Sequence, residues 1–209
     1  FEQQRKYLLT SHPLWQIDAF ENDKRLDEIK DVRGIYSFVV DELSYSFDKI
    51  EKGNKRIGAQ EVLKRPSVAV CTEFTDLFIA LSREKGIYAR EIQGYGYSNK
   101  QNIRPLSLVT DVLHAWPEFY EPAQNIWMQV DPTWEDTSGI DYFTGLDVNH
   151  IAFVIHGKSP TSPLPAGFYK TGVSRDIDVS VATKRPVDKP RLSVGADVPK
   201  AITSHEFQE

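Results

Sequence analysis

Apolar positions along the chain follow two different rhythms. From Thr72 to Lys85 the residues Phe74, Leu77, Phe78 and Leu81 recur at i, i+3, i+4 and i+7, which lays one apolar stripe along a helix. Gly86 then supplies a helix stop. Upstream, the segment from about Asp31 to Phe47 carries Ile35, Phe38, Val39, Leu43 and Tyr45 near helical spacing. Lys52 to Arg56 reads as a loop, and Gly58 to Lys64 as a short helix stopped by Pro66. Beyond Gly86 the rhythm shortens to strands at Ile87–Tyr97, Val112–Tyr120, Ile126–Val130, His150–His156 and Asp176–Val181, rich in aromatic and β-branched residues. In the fourth of these, Ile151, Phe153 and Ile155 alternate with Ala152 and Val154. Helices followed by an antiparallel sheet predict an α+β fold.

The periodicity fades after Thr183, and six of the 12 prolines lie between Gly157 and Glu209. Residues 1–183 therefore read as one domain and 184–209 as a linker or tail. The chain opens at Phe1 and its one methionine is Met128, so a longer precursor is expected. A tail leading to another domain or a membrane anchor would suit a cell-envelope or extracellular enzyme.

Composition narrows the function classes. With 209 residues, 40% hydrophobic and 26% charged, the chain can bury a substantial core, which excludes a disordered protein. No apolar run reaches the roughly 18–20 residues of a membrane span. Twenty-five basic against 30 acidic residues give a net charge of −5 with no basic stripe, which argues against nucleic acid as a partner. The single cysteine, Cys71, can make no internal disulfide and no multi-cysteine zinc site.

Cys71 falls where the extended Val68-Ala69-Val70 turns into the helix, so its sulfur faces the positive end of the helix dipole, which favours a thiolate. A thiol nucleophile needs a base, and the base needs an acceptor to fix its tautomer. His114 and Asp131 lie on consecutive expected strands, where a hairpin could bring one beside the other. Each residue also has an ordinary reading: a buried core thiol, a strand histidine, and an Asp-Pro turn. Trp116 and Trp134 flank the expected base and acceptor and could wall a substrate groove or pack the core. Glu118 shares a strand face with His114 but stands outside the expected catalytic set. His150 and His156 would lie about 20 Å apart on one strand, too far to share an ion, so no metal is expected. Gly94-Tyr95-Gly96 lacks the third glycine and following helix of a dinucleotide site, so no cofactor is expected.

Three blocks carry a family resemblance over about residues 35–134. They are Cys71-Thr72-Glu73-Phe74 continuing through Ala80 to Arg90 and Gly94-Tyr95; His114-Ala115-Trp116-Pro117-Glu118-Phe119-Tyr120; and Trp127-Met128-Gln129-Val130-Asp131-Pro132-Thr133. In that order they resemble the transglutaminase-like superfamily of papain-like cysteine enzymes. The resemblance implies a papain-like α+β core with the nucleophile helix packed on the sheet. It also implies acyl transfer through a thioester on Cys71, with His114 as base and then acid and Asp131 as its orienter. The family commonly has glycine two residues before the nucleophile, where this chain has Ala69. Tyr45 matches a family tyrosine, and Gln60 and Tyr45 are the candidates for the second oxyanion donor beside the Cys71 backbone N–H.

The expected activity is a cysteine protease or amidase acting on a protein or peptide. Transfer to an amine, as in a transglutaminase, and a silent module binding peptide or glycan are the competing readings. A thiolate held by His114 predicts that iodoacetamide at neutral pH alkylates Cys71 much faster than a free model thiol, whereas a silent site alkylates slowly.

Overall fold

In the computed structural model the helices come first and the sheet second, as the sequence predicts. Residues 9, 12–18, 23–51, 55–98, 100, 102–105 and 114–164 are described; all belong to the compact unit Phe1–Phe168. Helices α1 (Lys24–Asp27), α2 (Val32–Glu42), α3 (Phe47–Glu51), α4 (Ala59–Lys64) and α5 (Cys71–Glu84) precede strands β1 (Ala89–Gly96), β2 (His114–Glu121) and β3 (Ile126–Gln129). A further helix, α6 (Pro132–Ser138), stands between β3 and β4 (His150–His156). The expected strand at 176–181 and the expected boundary at 183/184 lie outside the described residues.

α5 is the centre of the architecture. Its four stripe residues Phe74, Leu77, Phe78 and Leu81 are fully buried, and they join Trp15, Ile35, Tyr36, Val39 and Phe119 in the core. The polar positions between them are buried as well, which an amphipathic pattern does not anticipate. Glu73 pairs with Lys49 at 2.7 Å, and Asp76 accepts from Trp15 Nε1 at 2.7 Å and pairs with Arg56. Arg83 donates to the carbonyls of Ala89 and Gly157 at 2.8 and 2.6 Å. Each charge taken out of water thus has a partner. The helix ends as Gly86 predicts: Gly86 adopts φ +77, its N–H reaches Arg83 O at 2.9 Å, and the Ile87 N–H reaches Ser82 O at 2.8 Å. Those two bonds form a Schellman cap.

α2 is shorter than its apolar pattern. Asp31 caps it by accepting from the Gly34 N–H at 2.8 Å, but it stops at Glu42, leaving Leu43 and Tyr45 beyond its end. The following backbone is drawn off by a tertiary partner: Ser44 and Ser46 N–H donate to Pro66 O and Ala69 O at 3.0 and 2.8 Å, and Tyr45 bridges Ala69 in parallel. The approach to Cys71 is thereby tied to the segment after α2.

The sheet is antiparallel in the order β3-β2-β1-β4. α5 packs against β2 and β1. β1 pairs with β2 so that Gly94 faces His114, and with β4 so that Gly96 faces His150, with an irregularity between Gln93 and Gly94. Gly94 has no room for a side chain, because an added Cβ would lie 2.0 Å from Ile151 O and 2.9 Å from the Trp116 ring. Gly94→Ala is therefore expected to push β4 away from β1 and to cost about 1–3 kcal/mol, read as a lower urea midpoint.

Candidate active site

The backbone sets where Cys71 stands. Val70 is extended (φ −127, ψ −176) and Cys71 is the first helical residue of α5. Glu73 reaches back, its Oε2 accepting from the Val70 N–H at 3.1 Å, while its Oε1 accepts from the Ile57 N–H at 3.0 Å. One carboxylate thus ties the start of α5 to the chain before α4, and Cys71 itself is fully buried.

His114 begins β2, the strand on which α5 packs. Its Nε2 lies 2.7 Å from Asp131 Oδ2, and both side chains are fully buried. They do not meet across a hairpin ladder, as their expected strand positions implied. β2 and β3 pair from Glu118–Gln129 to Glu121–Ile126, and Asp131 lies past the end of β3. It is the N-cap of α6, its Oδ1 accepting from the Thr133 and Trp134 N–H groups at 3.0 and 3.1 Å. Asp-Pro is therefore a helix start, with Pro132 at the first position where a missing N–H costs nothing. Both readings of Asp131, acceptor for His114 and initiator of a local turn, hold for the same carboxylate. Burial would raise its pKa, but His114 and His150 draw it well below the usual carboxylate range. The stability this contributes is present above about pH 4, where an unfolded Asp is ionised, and is lost as the pH falls.

Because a carboxylate only accepts, His114 Nε2 is the donor in this bond, which leaves Nδ1 as the ring's second nitrogen. That Nδ1 is buried and has no hydrogen-bond partner among the described residues. Trp134 stacks on the His114 ring at 5.0 Å and 15°, Trp116 at 5.7 Å and 25°. Both tryptophans are fully buried; their N–H groups are used by Pro105 O at 3.2 Å and Gln129 Oε1 at 3.0 Å. Glu118 is occupied by Arg90, away from His114. Gln60 Oε1 accepts from the Asp18 N–H at 2.7 Å, whereas Tyr45 runs beside Ala69, two residues before the thiol.

His150 is the residue that sequence reasoning missed. Its Nε2 lies 3.0 Å from Asp131 Oδ2, the oxygen that His114 also uses, and its Nδ1 lies 3.1 Å from Asp147 Oδ1. His156 belongs elsewhere, with Nδ1 3.1 Å from Glu91 Oε2 and Nε2 2.9 Å from Pro163 O. His114, Asp131 and His150 are a group whose donor atoms lie within 4.8 Å of one another. The 2.7 and 3.0 Å separations within the group are those of hydrogen bonds to one carboxylate oxygen.

A model of the transglutaminase-like superfamily matches residues 19–132. No curated protein matches the chain. Among solved structures, a candidate cysteine protease from Cytophaga hutchinsonii is 22% identical at a TM-score of 0.50, over 64% of this chain and 43% of that one. The periplasmic domain of TgpA from Pseudomonas aeruginosa is 17% identical at a TM-score of 0.44, over 65% and 48%. Red sea bream transglutaminase is 16% identical at 0.37, over 72% and 27%. The chain spans less than half the length of each. Among the described residues no helix is long and apolar enough to cross a membrane.

Asp131→Ala removes an acceptor of four hydrogen bonds and is expected to destabilise the fold by about 3–5 kcal/mol. Asp131→Asn keeps a side-chain oxygen for the Thr133 and Trp134 N–H groups and is expected to lose less; urea denaturation of the two variants makes the comparison.

Proposed function

The chain belongs to the transglutaminase-like superfamily, and within it we propose a cysteine protease or amidase that transfers an acyl group from a protein or peptide amide to water. Cys71 attacks the amide carbonyl. His114 takes the thiol proton on Nδ1 and returns it to the leaving amine, while Asp131 holds the Nε2 proton and stabilises the imidazolium. The products of this half-reaction are a thioester on Cys71 and a free amine. Water, deprotonated by the same Nδ1, then cleaves the thioester and releases the acid. The Cys71 backbone N–H at the start of α5 would be one donor to the carbonyl oxygen as it gains charge.

The observation that carries this reading is the buried 2.7 Å His114–Asp131 pair with Nδ1 left unspent on the strand against which the Cys71 helix packs. A structural histidine in so dry a place would be expected to use both ring nitrogens. Trp116 and Trp134, stacked on the His114 ring, are proposed to brace it.

A panel of acyl donors with a labelled primary amine, followed by intact-mass spectrometry, tests the proposal. Hydrolysed donor without amine incorporation is the expected result, with loss of turnover by at least about 10³-fold in Cys71→Ala and His114→Ala. Amine incorporation would make the enzyme a transglutaminase instead. Equal turnover by wild type and Cys71→Ala would overturn thiol catalysis altogether.

A further inference from the structure

We infer that His150 is a second positioning histidine of this site: as an imidazolium bridging Asp147 and Asp131, it shares Asp131 Oδ2 with His114 and limits how tightly that carboxylate holds a proton on His114. The inference rests on the reading of His114 as the base for Cys71.

Both ring nitrogens of His150 face carboxylate oxygens, Asp131 Oδ2 at 3.0 Å and Asp147 Oδ1 at 3.1 Å. Ionised carboxylates accept and do not donate, so filling both bonds requires a proton on each nitrogen. Asp147 is itself held in place: its carboxylate accepts from the backbone and side-chain amides of Asn149 at 3.1 and 3.0 Å, and Arg104 lies 3.6 Å away. The charges therefore alternate along Arg104, Asp147, His150 and Asp131. Among the described residues, the rings of Trp134, Trp116 and Tyr142 also lie around His150, at 4.4, 5.0 and 6.0 Å. Facing His114 are Asp131, His150 and the two tryptophans, with Cys71 on the opposing helix under the proposed reading.

One carboxylate oxygen serves two rings whose centroids are 5.8 Å apart. When His114 takes up a proton, two cations stand on one buried anion, and each makes the other's proton easier to lose. A base with a buried carboxylate to itself would take the thiol proton readily and give it up poorly. A shared carboxylate moderates that, so the ring can pass the proton on to the leaving amine. The β1–β4 pairing that sets Gly96 opposite His150, made possible by the missing side chain at Gly94, delivers the second ring.

The test is NMR titration of ring-labelled histidines in the full chain carrying Cys71→Ala. His150→Gln is expected to raise the pH midpoint of His114 by about one unit, and His114→Gln to raise that of His150 by the same amount, because pairwise coupling is reciprocal. Asp147→Asn, which leaves the tryptophan stack untouched, is expected to lower the His150 midpoint. A His114 midpoint that stays or falls in a folded His150→Gln variant would overturn the inference, as would a His150 midpoint indifferent to Asp147→Asn. Iodoacetamide alkylation of Cys71 in wild type and His114→Gln separates this from the underlying reading. A slower variant is expected, and equal rates would overturn the role of His114 as base, whatever the titrations show.

Discussion

A carboxylate sealed from water costs several kcal/mol unless its lone pairs are filled, and Asp131 is filled completely. Oδ1 receives two backbone N–H groups of its own helix start, and Oδ2 receives two histidines. That single group joins the end of β3, the start of α6, the start of β2 and the start of β4. Local capping fixes the direction of the side chain, so the outer oxygen is delivered to His114 without relying on a mobile rotamer. The chemistry proposed for the site follows from an anchoring bond that the fold needs in any case.

Helix α5 shows the same economy on the other side. α5 is wrapped on every face, and its buried charges are matched by groups from distant segments: Lys49 on Glu73, Arg56 on Asp76, and Arg56 onward to Glu91 at 3.0 Å. Glu91 continues to His156, so the helix and the far end of β4 belong to one ionic network. Such a network adds little net stability, since desolvation offsets most of the attraction. What it does is restrict the number of ways α5 can sit, and with α5 the placement of Cys71.

The α+β class, the extent of α5 and its glycine stop, and strands β1 to β4 were legible because apolar periodicity and Gly86 report burial directly. Cys71, His114 and Asp131 were legible as residue types in order, and the structure brings His114 and Asp131 together. How they meet was not legible. The Asp131-Pro132 pair, a standard helix-start signal, was read as strand and turn, so α6 was missed. α2 was read too long because its apolar pattern continues to Tyr45, while backbone bonds to Pro66 and Ala69 take over after Glu42. His150 carried no local signal: its role depends on strand order and on a close approach at Gly94, both properties of the assembled sheet.

The order of the parts along the chain also bears on when Cys71 could become reactive. Synthesis proceeds from the N-terminus, so Cys71 exists before His114, Asp131 and His150 are made. Asp131 acquires its second histidine only when β4 joins β1 at the edge of the sheet. Under the proposed function, a nascent or misassembled copy carries an ordinary cysteine, and reactivity arrives together with native topology.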